Sequence, residues 1–246
     1  MSIGFLLYVA LVITLAAVVG WAAESLCREY GRATRWAWLA ASGIALVLVA
    51  RAVTSSSANA ATVTYSRIAL PAASKVAAPE WSLLQLLRDA ISISATAVHV
   101  VTDSIVRAVP SGMTSLAVFF WIATSLLALV VLTFVHLRIR RARREWAEAD
   151  LFGTRVRIAP DVGPAVVGVM RPQIVVPSWL LSRSDGEQQL VLAHECEHLR
   201  ARDHLLLGAG SLVVALVPWH PAAWWMLSRL RLAIELDCDA RVLRRG

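Results

Sequence analysis

His194 and His198 stand four residues apart in the run His194-Glu195-Cys196-Glu197-His198. On an α-helix that spacing turns both imidazoles to one face, where they can bind a single tetrahedral zinc ion. Zinc lowers the pKa of a bound water to about 7 and polarises a carbonyl, while a neighbouring carboxylate takes the water's proton. Glu195 and Glu197 flank the histidine face about equally on a helical wheel, so spacing leaves the choice of base open. Six His and nine Glu in 246 residues give an HExxH run by chance in roughly one such chain in two hundred. The bland reading is two exposed histidines on a polar helix face, and a third ligand decides against it. Residues 229–245 read as a helix with Glu235 and Asp239 four apart on one face and Asp237 turned away. Glu235 can complete a His2Glu site with one position open, and Asp239 can hold a ligand imidazole by its other ring nitrogen. Taken alone the same helix would be a solvated one, with Arg231 and Glu235 a surface ion pair of little consequence.

Other elements must hold these residues together. Residues 155–159, 165–170 and 173–176 are short β-branched runs between Pro160, Gly163, Pro164 and Pro172, which predicts a sheet of two or three strands. Ser184 or Asp185 caps the histidine helix, with Glu187 or Gln188 three residues on. Residues 205–227 are apolar but interrupted by Pro218-Trp219-His220-Pro221, so they read as a hairpin that dips into the membrane or the protein core. If His198 and Glu235 share one zinc, a straight hairpin leaves Glu235 roughly 9 Å too far along the helix. The helix must therefore break between residues 200 and 204, with Asp203 as the cap of the next one. Cys196 lies two residues from each histidine and faces away as a small packed residue. His204 and His220 are candidate substrate or oxyanion contacts whose simpler role is packing.

The composition puts this constellation at a membrane. The chain is 58% hydrophobic and only 17% charged, against about a quarter charged for an average soluble domain. Residues 2–23, 36–50 and 115–137 are candidate spans, the second short enough to need both flanking arginines at the interfaces. Apart from Lys75 every basic side chain is arginine; residues 24–35 hold three, residues 138–144 hold five in seven positions, and residues 51–114 hold five basic residues in 64. Both dense clusters belong in the cytoplasm, which three crossings allow with the N-terminus outside. The net charge of +7 is thus assigned to topology, and no direct nucleic-acid partner is expected. Residues 1–137 form a membrane domain with an outer loop 51–114, apolar stretches of which suit helices lying on the outer face. Residues 138–246 form the cytoplasmic zinc domain. Cys27, Cys196 and Cys238 have no framework spacing and read as free thiols.

With these residues in place, the sequence resembles the membrane zinc metallopeptidases of the BlaR/MecR type, the bacterial antibiotic-sensing signal transducers. The resemblance lies in AHECEHLRARDHLLL, the turn VPWHPAAWW, the closing ELDCDARVL and the strand-like GVMRPQIVVPSWLL before the metal helix. It implies zinc on His194, His198 and Glu235, Glu195 as general base and Asp239 behind a ligand histidine. It also implies an α-helical polytopic protein of the bacterial inner membrane carrying a small α+β, gluzincin-like metallopeptidase domain. Relatives cleave themselves or a cytoplasmic repressor on an external signal. The antibiotic sensors continue into a further span and a penicillin-binding domain, whereas this sequence stops at Gly246, so it is expected to be a short member or the N-terminal part of something longer. The resulting expectation is a zinc metalloendopeptidase acting in transmembrane signalling on a protein substrate, a repressor or itself, with a substrate strand added to a sheet edge at 173–176. The rivals are a zinc-binding signalling scaffold without catalysis and a heat-shock-type membrane quality-control protease. The substrate, the stimulus and the oligomeric state are not specified by these residues.

Overall fold

A computed structural model of the chain describes residues 3–58 and 111–244. Helices α1 (Ile3–Glu29), α2 (Arg35–Ala58) and α3 (Ser111–Glu145) precede a small sheet. By length and apolarity two helices among the described residues can cross a bilayer, Gly4–Glu29 and Gly112–Glu145. The expected second span, 36–50, lies inside α2, whose continuation through Arg51 and Thr54 to Ser57 dilutes its apolar character. Most of the expected outer loop, 59–110, lies outside the described residues. Helix α3 runs on past the expected span end at 137, so the arginine cluster forms its last two turns.

The chain divides into two compact units, residues 1–11 with 47–119 and residues 12–46 with 120–246. Within the first, the described residues are parts of α1, α2 and α3. The second contains the sheet and the histidine helix.

The sheet has four strands, β1 (Ala147–Leu151), β2 (Thr154–Ala159), β3 (Ala165–Val167) and β4 (Gln173–Pro177), in the order β1-β2-β4-β3. Strand β1, Ala-Glu-Ala-Asp-Leu, has no β-branched residue and gave no strand signal. It forms because Phe152 and Gly153, at φ 51° and 77°, make the tight turn whose twist suits a two-residue hairpin. Strand β4 runs parallel to β2 and antiparallel to β3. The expectation that 173–176 is an edge is therefore overturned: β4 is paired on both sides, and β1 and β3 are the edges. The cause is legible in burial, since Ile174, Val175 and Val176 are all buried, as a central apolar run should be.

After a 3-10 turn (Ser178–Ser182), helix α4 (Asp185–Ala201) begins at Ser184. Ser184 donates from its backbone N–H (3.0 Å) and from its Oγ (2.8 Å) to Glu187 Oε2. These bonds hold the Glu187 carboxyl below the usual carboxylate range. Ser184→Ala is expected to lower the Tm by a few degrees with metal content unchanged, read by thermal unfolding beside elemental analysis. Leu192 joins Val156, Ile174, Val176 and Leu180 in the core beneath the sheet, with Leu199 packed against it.

Helix α4 ends where the geometry required. Arg202 adopts the left-handed conformation (φ 56°, ψ 35°), and α5 (Asp203–Leu216) starts at once. Asp203 does not cap α5: it is the first helical residue, and its carboxylate is drawn elsewhere. A turn at Val217–His220 leads into α6 (Pro221–Leu243), with Pro221 in the first turn, where its missing N–H costs nothing. Gly210 lets the two helices meet, since a Cβ there would lie 2.9 Å from Leu227 Cδ1.

Buried polar links tie this hairpin to the other helices of the unit. Glu24 on α1, 2% exposed, accepts from Trp38 Nε1 (3.0 Å), Arg28 Nη2 (2.6 Å) and Arg229 Nη2 (2.6 Å). The Leu216 carbonyl, at the end of α5, accepts from Trp121 Nε1 (2.7 Å) and Ser125 Oγ (2.9 Å) of α3.

Candidate metal centre

His194 and His198 project from α4 into a cavity that they share with Glu235 of α6. His194 Nε2 and His198 Nε2 are 3.1 Å apart, and Glu235 Oε2 lies 3.5 Å from each. Three donors bound to one tetrahedral ion at about 2.05 Å stand roughly 3.3 Å from one another. The triangle fits such an ion.

The far side of each ring supports the same conclusion. His198 Nδ1 is 2.9 Å from Asp203 Oδ2, and His194 Nδ1 is 3.2 Å from Asp239 Oδ1. A carboxylate on Nδ1 draws the ring proton there and leaves Nε2 with its lone pair. Two lone pairs and a carboxylate oxygen then converge on one point, an arrangement that repels itself unless a cation fills it. Burial draws the His198 imidazole towards neutrality, but the Asp203 hydrogen bond and the Glu235 charge outweigh it and raise its pKa.

Asp239 sits where the sequence placed it. Asp203 was missed, because its contact with His198 spans the helix break, where helical periodicity no longer applies. Asp203 is 1% exposed. Its carboxylate also accepts from Arg35 Nη1 of α2 (2.9 Å) and Arg241 Nη2 of α6 (3.2 Å), which together hold the charge in place. Asp237, read as turned away, accepts from the Arg35 backbone N–H at 3.3 Å.

The structure separates the two glutamates that spacing left level. Glu195 lines a cavity of about 280 Å³ with His194, His198, Glu235 and His204. Burial pushes its carboxyl up, against the opposing pull of the two histidines. Glu197 faces the other way, held by Arg200 Nη1 (2.8 Å) and Arg241 Nε (3.5 Å). Cys238, the third member of a His-His-Cys cluster, approaches His194 at Nδ1 (3.7 Å) and at its carbonyl oxygen (3.5 Å), not at Nε2. Burial pushes its thiol up to about 11, and its contacts with His194 lie away from the Nε2 corner of the triangle. Cys196 is not part of this cluster, and His220 is buried at the N-cap position of α6, without a side-chain cap hydrogen bond.

One wall of the cavity is Ala165 and Val166 of edge strand β3. An apolar recess of about 410 Å³, which shares Pro164, His194 and Glu195 with that cavity, is lined further by Leu190, Val191, Val242 and Leu243.

The sequence profile of the family described as BlaR1 peptidase M56 matches residues 5–246, nearly the whole chain. The chain is also 30% identical over 82 residues to the regulatory protein BlaR1 of Bacillus licheniformis, a match covering 33% of this chain and 14% of that protein.

Proposed function

The chain belongs to the BlaR1 peptidase M56 family, and from that premise we propose that it is a membrane-bound zinc endopeptidase whose metal is held by His194, His198 and Glu235. The observation that carries this reading is the donor triangle, with each ligand imidazole backed by its own carboxylate. Zinc bound there supplies an acidified water and a Lewis acid for the scissile carbonyl. Glu195, buried beside the histidines, accepts the water's proton and returns it to the leaving amine. Asp203 and Asp239 hold the two rings in register for the metal. Strand β3 offers its unpaired edge to an extended substrate, which would add as a further strand alongside Ala165 and Val166. The recess by Leu190 and Val242 suits an apolar substrate side chain.

The substrate is a protein, a repressor or the chain itself, cleaved in transmembrane signalling at the bacterial inner membrane. Three crossings with the N-terminus outside put the zinc domain in the cytoplasm beside the arginine-rich ends of the helices. Removing the metal tests the reading. Wild-type protein in detergent is expected to carry about one zinc per chain, to lose both zinc and cleavage of a casein probe on treatment with 1,10-phenanthroline, and to regain both on zinc addition. Zinc that returns without cleavage would leave the metal a structural part of a signalling scaffold.

A further inference from the structure

Beyond the peptidase site, a second cavity, of about 490 Å³, opens between the last turns of α3 and the loop joining β3 to β4. His136, Arg140, Arg143 and Arg144 enter it from α3, Arg157 from β2 and Arg171 from the loop, and no carboxylate lines it among the described residues. On α3, Arg140 follows His136 by four residues, and Arg143 and Arg144 follow Arg140 by three and four, so all four lie on one broad helix face.

Two of the arginines build the walls. Arg157 donates to the carbonyls of Arg143 (2.8 Å) and Trp146 (2.9 Å), to Gln173 Oε1 (3.0 Å) and to Glu148. Arg143 Nη1 reaches the carbonyls of Val167 (2.9 Å) and Arg171 (3.0 Å), clipping the loop to the helix, while its Nε is buried without a partner. Gly168, at φ +109°, is needed for that clip, because a Cβ there would collide with the Arg143 guanidinium. The other three, Arg140, Arg144 and Arg171, are exposed and take part in none of the ion pairs among the described residues.

Arginines that only orient a span need no cavity. Arg138, on another face of α3, lies over the Phe134 ring and illustrates that simpler use. Here, by contrast, like charges are gathered around a recess with fixed walls, an arrangement that favours an anion carrying several acceptor oxygens. The cavity also ends a helix long and apolar enough to cross a bilayer, which places it at headgroup depth. Val169 and Met170, 41% and 91% exposed, give it an apolar lip.

We propose that this cavity binds the phosphate of an anionic phospholipid of the inner membrane, with Arg140, Arg144 and Arg171 as its contacts. The inference rests on the membrane crossing of α3 but not on the peptidase reading.

The test is thermal unfolding of the full chain in neutral detergent, titrated with dioctanoyl phosphatidylglycerol, dioctanoyl phosphatidylcholine or inorganic phosphate. Phosphatidylglycerol is expected to raise the Tm saturably, and the other two are not. The triple variant Arg140→Gln, Arg144→Gln, Arg171→Gln is expected to raise the half-saturating concentration at least about tenfold with zinc content unchanged. A variant with the same charge loss elsewhere, Arg32→Gln, Arg138→Gln, Arg141→Gln, should stay near wild type. Equal response to phosphatidylcholine, an equal shift from inorganic phosphate, or equal weakening by the control variant each overturns the site. So does displacement of phosphatidylglycerol by a poly-glutamate peptide at the same concentration, which would favour an acidic protein partner. Alkaline carbonate extraction reads the crossing separately: a chain that stays in the membrane yet does not distinguish the lipids refutes the lipid site alone, whereas an extracted chain refutes the crossing and the site with it.

Discussion

Glu195→Gln is expected to keep its zinc and lose its peptidase activity by about 10²- to 10⁴-fold, the range over which a positioned general base contributes. The amide is nearly isosteric, so the packing of this 5% exposed side chain is preserved. What it cannot do is accept a proton. Glu197→Gln is the matched reference, since it lies in the same motif but faces Arg200 and Arg241. That variant should lose stability, because two guanidinium groups forfeit a buried partner, while turnover per zinc-bound molecule holds. Elemental analysis and cleavage scored on the same samples distinguish the two, and equal turnover in Glu195→Gln and wild type would remove Glu195 from the chemistry.

Asp203→Ala should be the most damaging substitution away from the three metal ligands. It takes the acceptor from His198 Nδ1 and leaves Arg35 and Arg241 buried without their shared carboxylate. Removing a carboxylate that supports a ligand histidine typically costs 10- to 100-fold in metal affinity, roughly, and breaking a buried charge cluster costs about 3–5 kcal/mol. Asp203→Asn keeps an acceptor for the imidazole but not the charge. It should recover much of the zinc affinity and little of the stability, which separates the two roles even if the alanine variant does not fold. Asp239, whose side chain is 61% exposed, should matter less in both respects. Competition with a chromogenic zinc chelator gives the affinities, and thermal unfolding the stabilities. Asp239→Ala costing more zinc affinity than Asp203→Ala would reverse this ranking.

What the sequence reveals and what it conceals divide along the range of each interaction. The pairing of His194 with His198 and of Glu235 with Asp239 follows from helix period alone. The break near residue 202 follows from requiring one ion to touch both helices. Neither argument needs knowledge of distant residues. Telling Glu195 from Glu197 by geometry, without the family resemblance, does, because it depends on Arg241 lying beside Glu197. Asp203 was assigned a local task, capping, yet its partners lie at positions 35, 198 and 241. Strand β1 was silent for a related reason: its pairing is enforced by a hairpin turn and not by its own side chains. The edge of the sheet was misplaced because an all-apolar strand reads alike whether one or both of its sides are paired; only the order β1-β2-β4-β3 decides.

Arg35 has a practical corollary for anyone who would dissect the molecule. The natural place to sever a membrane enzyme is after its last long apolar stretch, here near residue 138, in the hope of a soluble catalytic fragment. That scissor cut would discard Arg35, one of the two guanidinium groups that balance Asp203, and Glu24, to which Arg229 is bound. It would also strip the two donors that close the Leu216 carbonyl. The half of the chain that carries the histidine motif is not a cargo borne by its helices: Glu24 and Arg35 are components of it, and a fragment without them inherits the motif but not the means of holding it.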